Sequence, residues 1–280
     1  MSAADVAAPV RPGRAGRPAP VPPRRPAGRW KAAAGWAAVL AVTALTLAPG
    51  IGVEVDLGAM ARNWRNGADK IVALLQPDWS FFPRTVEPLL ETLQMAVIAT
   101  AVAGVVALPL SLWAARTTNP HRALRGTVRA VLNVVRAVPD LLYASVLVAM
   151  VGVGALPGIL ALVLFDVGIV VKLVSEQLEA ADTGALEAAR AAGGTQLQVN
   201  RSVAVPDMMP GFWNQLLYVL ELNVRASSVL GLVGAGGMGL LIDAVRSFYR
   251  YDQLSLIILE ILVVVLVLEA VSSAARRRLT

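Results

Sequence analysis

The chain has 280 residues, of which 56% are hydrophobic and only 16% charged, and its mean hydropathy is +0.64. This composition excludes an ordinary soluble domain and is typical of a membrane protein. With no Cys and one His, the chain lacks the ligands for a disulfide framework, an iron–sulfur cluster or a thiolate zinc site. None of its lysines (Lys31, Lys70 and Lys172) follows a glycine, which excludes a P-loop for nucleotide phosphates.

Several apolar stretches are long enough to cross a membrane as helices, which takes roughly 20 residues each. These stretches are residues 32–53, 92–115, 130–175, 208–233 and 253–273. The third is long enough for two spans, with a break at the glycines and proline between Gly152 and Gly158. The sequence therefore predicts an all-α, polytopic transmembrane bundle of about six spans.

The N-terminal segment 1–30 is rich in Pro, Arg and Ala, with seven prolines from Pro9 to Pro26. Such a composition cannot build a packed core and predicts a disordered cytoplasmic tail. We expect a first transmembrane helix at residues 31–53. A cleaved secretory signal is the alternative, but the apolar run exceeds the roughly 7–15 residues of a signal core. No aromatic residues interleave with the arginines, which argues against nucleic-acid binding.

Segment 54–83, between the first two predicted spans, has apolar residues at helical spacing. We predict an external amphipathic segment that lies in the headgroup layer, with Trp64 as its anchor. Contact with an external partner protein is the alternative. Residues 84–280 are then the core, with five transmembrane helices.

Lys and Arg are unevenly distributed about the predicted spans. Seventeen of the 25 fall in the N-terminal tail or in the segments after the second, fourth and sixth spans, and six fall in the remaining loops. Cytoplasmic flanks retain basic residues during insertion. The sequence therefore predicts a multi-pass protein of the bacterial cell membrane with both termini in the cytoplasm.

Segment 176–206 joins the fourth and fifth spans on the predicted cytoplasmic side and reads EQLEAADTGALEAARAAGGTQLQVNRSVAVP. Its alanines keep a first short helix slim enough to enter a cleft. Gly193 and Gly194 stop this helix where a left-handed cap favours glycine, and Thr195 can cap a second short helix. We predict two short helices at an angle, held at their base by two transmembrane helices.

This segment resembles the signature of binding-protein-dependent ABC importer permeases: Glu-Ala-Ala, three residues, Gly, nine residues, two aliphatics one residue apart, and Pro. The matching residues are Glu187, Ala188, Ala189, Gly193, Val203, Val205 and Pro206. The resemblance implies a type I ABC importer architecture. It also implies that this coupling loop docks in a groove of an ATPase subunit and transmits its closure to the membrane helices. An ordinary amphipathic surface loop is the alternative.

Several charged residues fall inside predicted spans. Burying one such residue at the bilayer centre costs roughly 2.5–3.5 kcal/mol on insertion scales, so each is expected to have a partner or a function. Arg136 with Asp140, and Glu221 with Arg225, are each four residues apart, which predicts that each pair lies on one helix face. These pairs either hold helices together or, with Asn223, line a polar translocation path. We favour the path. The role of Asp166 stays open, because nearly two turns separate it from Lys172. For Glu260 and Glu269 structural roles are favoured.

Residues 231–239 read GLVGAGGMG and contain a G-x-G-x-x-G match. A dinucleotide site needs a preceding strand in a βαβ unit, whereas this segment follows a predicted transmembrane helix. The glycines instead predict a bend and a close approach of the backbone to a neighbouring helix or to substrate.

Residues 223–239, 136–140 and Lys172 together resemble the phosphonate-importer branch of this permease family, over about half the chain. Asp140 stands where that branch often has Glu, and Asp166 at or beside a position where His is common. Methionine and other amino-acid permeases share the coupling loop, so the loop alone does not select the substrate.

The resemblance implies a permease subunit that imports phosphonates or related phosphorus oxyanions. It implies no catalytic, metal or cofactor site in this chain, with ATP and Mg bound by a partner ATPase. The implied partners are a second copy of the chain, two ATPase subunits, an external substrate-binding protein and membrane lipid. The alternatives are a permease for another small solute such as an amino acid, a secondary carrier with Glu221, Asp166 or Glu260 as relay groups, and a membrane scaffold or sensor.

Overall fold

The computed structural model describes residues 29–46 and 57–278, in a chain that divides into two compact units, Met1–Trp64 and Arg65–Thr280. The described part of the first unit holds α1 (Arg29–Thr46) and α2 (Leu57–Arg62). Large apolar side chains of α1 such as Trp36 and Leu40 are exposed. Residues 1–28 of the predicted tail and 47–53 of the predicted first span lie outside the described residues.

The second unit is built from helices joined by short connections. They are α3 (Trp64–Leu74), α4 (Phe82–Ala114), α5 (Arg122–Ala137), α6 (Asp140–Val151), α7 (Ala155–Ala180), α8 (Gly184–Ala191), α9 (Gln196–Val199), α10 (Val205–Leu230), α11 (Gly237–Ser247) and α12 (Tyr251–Arg276). No strand occurs in the described part of the chain. The predicted all-α fold is confirmed.

Among the described helices, α4, α7, α10 and α12 are each long and apolar enough to cross a membrane. Helices α5 and α6 pass this test together, with a bend of 85° between them, and count as a fifth span if the bent pair is one. A shorter apolar helix, Ala33–Thr46, occupies the predicted first span. The predicted multi-span bundle is confirmed, with the third span broken rather than straight.

Pro139 causes the break between α5 and α6. A proline ring disfavours helical backbone at the preceding residue, and Val138 is extended, with φ −87° and ψ 127°. Helix α5 therefore ends at Ala137, and Asp140 begins α6. The prediction that Arg136 and Asp140 share one helix face was wrong, because the proline places them on different helices.

The core lies where α4, α7 and α10 pack together. Helix α4 contributes a stripe of small residues, of which Ala96, Ala99 and Ala103 are fully buried. Small residues let helix backbones approach closely inside membranes. Gly104 adjoins this stripe, and a Cβ there would stand only 3.0 Å from Cδ1 of Leu216 in α10.

The glycine-rich segment 231–239 forms a tight connection between α10 and α11. A Cβ added at Gly231 would lie 2.4 Å from the Cα of Gly239, so the two backbones touch directly. The backbone N–H of Met238 donates to Oγ1 of Thr92 in α4 at 2.8 Å. The predicted close approach to a neighbouring helix is confirmed.

The predicted amphipathic segment forms two short helices, α2 and α3, followed by a 3₁₀ turn. Helix α3 lies against the start of α12. The hydroxyl of Ser255 donates to the carbonyl oxygen of Leu74, and Lys70 Nζ lies 5.8 and 5.4 Å from the ring centroids of Tyr249 and Tyr251. Cation–π contacts of this kind are attractive.

Candidate coupling loop and membrane charges

The predicted two-helix arrangement of segment 176–206 is present, as α8 and α9 between the long helices α7 and α10. A π-helical turn, Asn200–Ala204, connects α9 to α10. Pro206 lies in the first turn of α10, directly after this π-helical turn. The loop therefore continues into α10 without a flexible linker.

Gly193 ends α8 in the predicted way, with a left-handed φ of +86°. The N–H of Gly193 donates to the carbonyl of Arg190 at 2.9 Å, and that of Gly194 donates to the carbonyl of Ala189 at 3.1 Å. No atom lies within 4 Å of a Cβ built at Gly193. The backbone conformation, rather than crowding, is the reason for glycine here.

Thr195 begins α9 as predicted. Its hydroxyl accepts from the N–H of Gln198, and the Gln198 side chain accepts from the N–H of Thr195 at 2.8 Å. This reciprocal capping box satisfies backbone donors that the helix itself leaves open. The angle between α8 and α9 is thus held by local hydrogen bonds.

The loop is anchored to the bundle on one face and exposed on the other. Leu186 of α8 and Val199 of α9 are buried in the main hydrophobic core. Glu187 and Ala188 are exposed, and Leu197 is 78% exposed. The exposed face of α8 and α9 is therefore the one that faces away from the bundle.

The loop also binds the connection between α4 and α5, a contact that the sequence analysis missed. Arg190 Nη2 donates to the carbonyl of Thr117 at 2.6 Å. Gln196 Nε2 and Asn200 Nδ2 both donate to the carbonyl of Thr118, at 3.1 and 2.9 Å. Gln196 and Asn200 are four residues apart, so their side chains lie on the same helix face. This spacing is the one sequence feature consistent with both amides donating to one carbonyl group.

Arg136 lies beside a polar cleft of about 160 Å³ between α5 and α7. Its stem packs over Gly168, where a Cβ would be 2.7 Å from the Arg136 Cγ. Arg136 is exposed, and no ion pair of the described residues includes it. The other cleft residues are Ala114, Arg129, Leu132, Asn133, Val171, Lys172, Ser175, Glu176 and Glu179.

The acidic residues of this cleft neutralise most of its other charges. Glu179 pairs with Arg129, and its Oε1 lies 3.8 Å from Nε of Arg116. Lys172 pairs with Glu176 one turn along α7. Arg136 is therefore the cleft cation without an acidic partner among the described residues.

Asp140 and Glu221 do not pair with the arginines that the sequence analysis assigned to them. Oδ1 of Asp140 accepts from the N–H of Leu141 at the start of α6, where the helix dipole favours a negative charge. Glu221 pairs with Arg276 at the end of α12. Arg225 is exposed. Glu221 and Arg225 both lie on α10, four residues apart. The alternative of an ion pair between them was wrong, because Arg276 of a neighbouring helix binds the Glu221 carboxylate.

Asn223 is fully buried and contacts two polar side chains. Its Nδ2 donates to Oδ2 of Asp166 at 2.6 Å and to Oγ1 of Thr100 at 3.0 Å. Sequence spacing does not indicate this cluster, because the three residues come from α4, α7 and α10. Elsewhere, Glu260 of α12 accepts from Thr85 at 2.7 Å, in agreement with a structural role.

Comparison with known proteins yields one family match. The family model for binding-protein-dependent transport system inner membrane components matches residues 107–280. Segment 176–206 lies within this range.

Two relatives illustrate the similarity in sequence. The phosphite transport system permease protein PtxC of Stutzerimonas stutzeri is 40% identical over 216 residues, which are 76% of this chain and 78% of the relative. The phosphate-import permease protein PhnE of Mycolicibacterium smegmatis is 39% identical over 219 residues, 76% of this chain but only 41% of that relative.

A solved structure, the inward-facing MetNI methionine ABC transporter, has a chain that superposes with a TM-score of 0.65. The match covers 72% of this chain and 99% of the other, at 24% identity. At this identity the likeness shows a shared fold, and it confirms the predicted importer-permease architecture.

Proposed function

Because the chain belongs to the binding-protein-dependent transport system inner membrane component family, we propose that it is the permease subunit of an ATP-driven importer of phosphorus oxyanions. The relatives named for phosphite and phosphate transport, each about two-fifths identical, support this substrate class. The family supports an ATPase and a substrate-binding protein as partners. The chain supplies the membrane path, and the ATPase supplies nucleotide and Mg binding.

The observation that carries this proposal is the construction of segment 176–206. A flexible loop would absorb the motion of a partner. Here capped helices, the left-handed Gly193 and the buried Leu186 and Val199 make the segment a rigid extension of α7 and α10. Glu187 and Ala188, which are exposed on α8, form the docking surface. Ala189 packs partly against the core beneath it, and Gly193 and Pro206 hold the geometry of the loop.

In the proposed mechanism, ATP closes the two ATPase subunits, and two copies of this chain move with them. The membrane helices then change from inward-open to outward-open. A ligand shifts such an equilibrium only by binding one state better than the other. ATP must therefore bind the closed ATPase pair more tightly than the open one. Helices α8 and α9 transmit this closure to the membrane spans, so that ATP binding also favours the outward-open state.

In the proposed transporter two copies of the chain, each with both termini in the cytoplasm, form a translocation path between them. Polar residues of the membrane spans line this path. Arg136, Asp140 and Arg225 are the proposed path residues, and Arg136 and Arg225 carry exposed cations. Of the other two residues expected in the path, Glu221 is bonded to Arg276 and Asn223 is fully buried, so both hold helices together instead. A cation on a lipid-facing surface is costly, whereas one beside an oxyanion is stabilised. The basic flanks on the loop side of the bundle support placing that side in the cytoplasm of a bacterial cell.

The test is reconstitution of the chain in lipid vesicles with the ATPase and the binding protein encoded with it. We expect uptake of labelled phosphite, phosphate or a phosphonate that requires ATP on the side of segment 176–206. Uptake driven by a proton or sodium gradient without the ATPase would instead establish a secondary carrier. Uptake of methionine in place of all three oxyanions would contradict the substrate class but leave the permease function intact.

A further inference from the structure

A fully buried polar cluster ties the three central spans together. Asp166 and Asn223 are 0% exposed, and Thr100 is 8% exposed. The amide of Asn223 uses its two hydrogens for Asp166 Oδ2 and Thr100 Oγ1. The Thr100 hydroxyl in turn donates to the carbonyl of Ala96 at 2.8 Å. Each amide hydrogen of Asn223 and the hydroxyl hydrogen of Thr100 therefore already has an acceptor.

Two oxygens of the cluster, Asp166 Oδ1 and Asn223 Oδ1, have no hydrogen-bond partner among the residues that the structure describes. Both belong to side chains that already meet through their other ends. A buried acceptor without a donor costs the desolvation of that atom. The cluster therefore lacks one donor that could serve both groups.

The charged groups of α5 and α7 do not compensate Asp166. Lys172, six residues along α7, pairs with Glu176. The Arg136 stem packs on Gly168, which is two residues from Asp166 and hence about 200° around the helix at 3.6 residues per turn.

The other packed helices offer no counter-ion either. On α10, Glu221 pairs with Arg276, and Arg225 and Tyr218 are exposed. Helix α4 has no charged residue after Glu91. The titratable groups of α6 are Asp140, in its first turn, and Tyr143, whose hydroxyl donates to the carbonyl of Val135. Glu260 of α12 is acidic and bonds to Thr85.

We propose that Asp166 carries a resident proton on Oδ1 and donates it to Oδ1 of Asn223, so that the two side chains form a neutral, cyclic acid–amide pair. One proton then satisfies both open oxygens. A carboxylate at this position would have one hydrogen bond and no counter-ion, which is the costly way to bury a charge. The pair joins α7 to α10, and Thr100 extends it to α4.

The proposal predicts an infrared signature in the full-length chain in lipid vesicles at neutral pH. The carbonyl band of a protonated carboxylic acid in apolar surroundings should be present and should disappear in Asp166→Asn. Asparagine matches the acid in shape, with a donor group in place of the protonated oxygen and an acceptor in place of the other, so the variant should keep its fold. Its second N–H has no counterpart in the acid, so a small drop in melting temperature is expected. Glu260→Gln is the matched control, and it should leave the Asp166 band in place.

Isotope-labelled aspartate makes the test independent of any variant. Asp166 is the one aspartate among the described residues that is fully buried. A protonated-acid carbonyl band that shifts when the aspartates are labelled is therefore assigned to Asp166 and supports the proposal. A chain without a shifted acid band at neutral pH would overturn it. A carboxylate band that disappears in Asp166→Asn would also overturn the proposal, because Asp166 would then be ionised. Water would be its missing partner, or a cation if that band responds to Na⁺. None of these outcomes depends on which solute is transported.

Discussion

The guanidinium of Arg190 in α8 donates from Nη2 to the carbonyl oxygen of Thr117, 2.6 Å away. This bond fastens the coupling loop to the connection between α4 and α5, in addition to its covalent ends on α7 and α10. Gln196 and Asn200 add bonds to the neighbouring Thr118 carbonyl. A displacement of α8 therefore reaches several spans at once, rather than only the two that flank the loop.

Arg190→Ala should weaken this attachment. A hydrogen bond from a charged donor contributes roughly 1.5–3 kcal/mol, and less at an exposed position such as this one. We expect faster amide hydrogen exchange in residues 184–191 and a several-fold loss of substrate-stimulated ATP hydrolysis in the reconstituted complex, with the melting temperature nearly unchanged.

Arg201→Ala is the control for Arg190→Ala. Arg201 is exposed on the same loop, and no hydrogen bond or ion pair to its side chain is present in the described chain. It removes the same charge without the Thr117 contact. Equal loss of stimulation in both variants would show that overall charge, rather than the attachment to Thr117, controls coupling.

The coupling loop could be predicted in detail because its determinants are local. A glycine with positive φ, a threonine cap and alanines at successive positions act within one or two helical turns, so Gly193 and Thr195 indicate the structure by themselves. The bend at Pro139 is equally local, since it follows from the effect of proline on Val138. The spacing of Arg136 and Asp140 does not indicate it.

The partners of the membrane charges could not be predicted in this way. Glu221 has one cation four residues away and another, Arg276, on a distant helix, and only the packing of α10 against α12 decides between them. The same holds for Asp166 and Asn223, which are 57 residues apart in sequence. Hydropathy and spacing identify which residues need partners, whereas the bundle selects the partners.

Gly193→Ala should uncouple transport from ATP hydrolysis without greatly affecting the fold. A non-glycine residue in the left-handed region costs roughly 1–2 kcal/mol, and an added Cβ at Gly193 meets no atom within 4 Å. The strain should change the angle between α8 and α9. We expect about a fivefold or larger loss of stimulated ATP hydrolysis, the equivalent of about 1 kcal/mol, in the reconstituted complex.

Gly152→Ala is a control for Gly193→Ala. Gly152 also has a positive φ, +97°, and open surroundings, but it ends α6 rather than α8. Its ψ of 173° lies in a region that is essentially reserved for glycine, so the stability loss in Gly152→Ala should be at least as large, whereas only Gly193→Ala should lose stimulation. A Gly193→Ala complex with unchanged stimulation would count against the coupling role of the loop.

Glu221→Gln should destabilise the contact between α10 and α12. The Glu221 side chain is 12% exposed and that of Arg276 32%. Removing the carboxylate from a partly buried cation costs more than the 0–1 kcal/mol of a surface pair. We expect a melting temperature several degrees lower, measured on the detergent-solubilised chain. Glu269→Gln, an exposed acid on α12, should have no such effect. Exchanging the two charges in Glu221→Arg with Arg276→Glu should restore part of the loss, and failure of any rescue would argue against the pair.

Arg225→Ala should slow oxyanion uptake more than it affects folding. Arg225 is exposed and takes part in no ion pair among the described residues, and a bare cation facing lipid would be costly. If Arg225 instead faces a translocation path between two copies of the chain, its positive charge can balance the negative charge of a passing oxyanion. We expect roughly tenfold slower uptake of labelled phosphite, equivalent to about 1.4 kcal/mol, and largely retained uptake in Arg225→Lys. Full uptake by Arg225→Ala, with ATP hydrolysis still stimulated by substrate, would remove the charge-balancing role and leave Arg136 as the remaining candidate cation of the path.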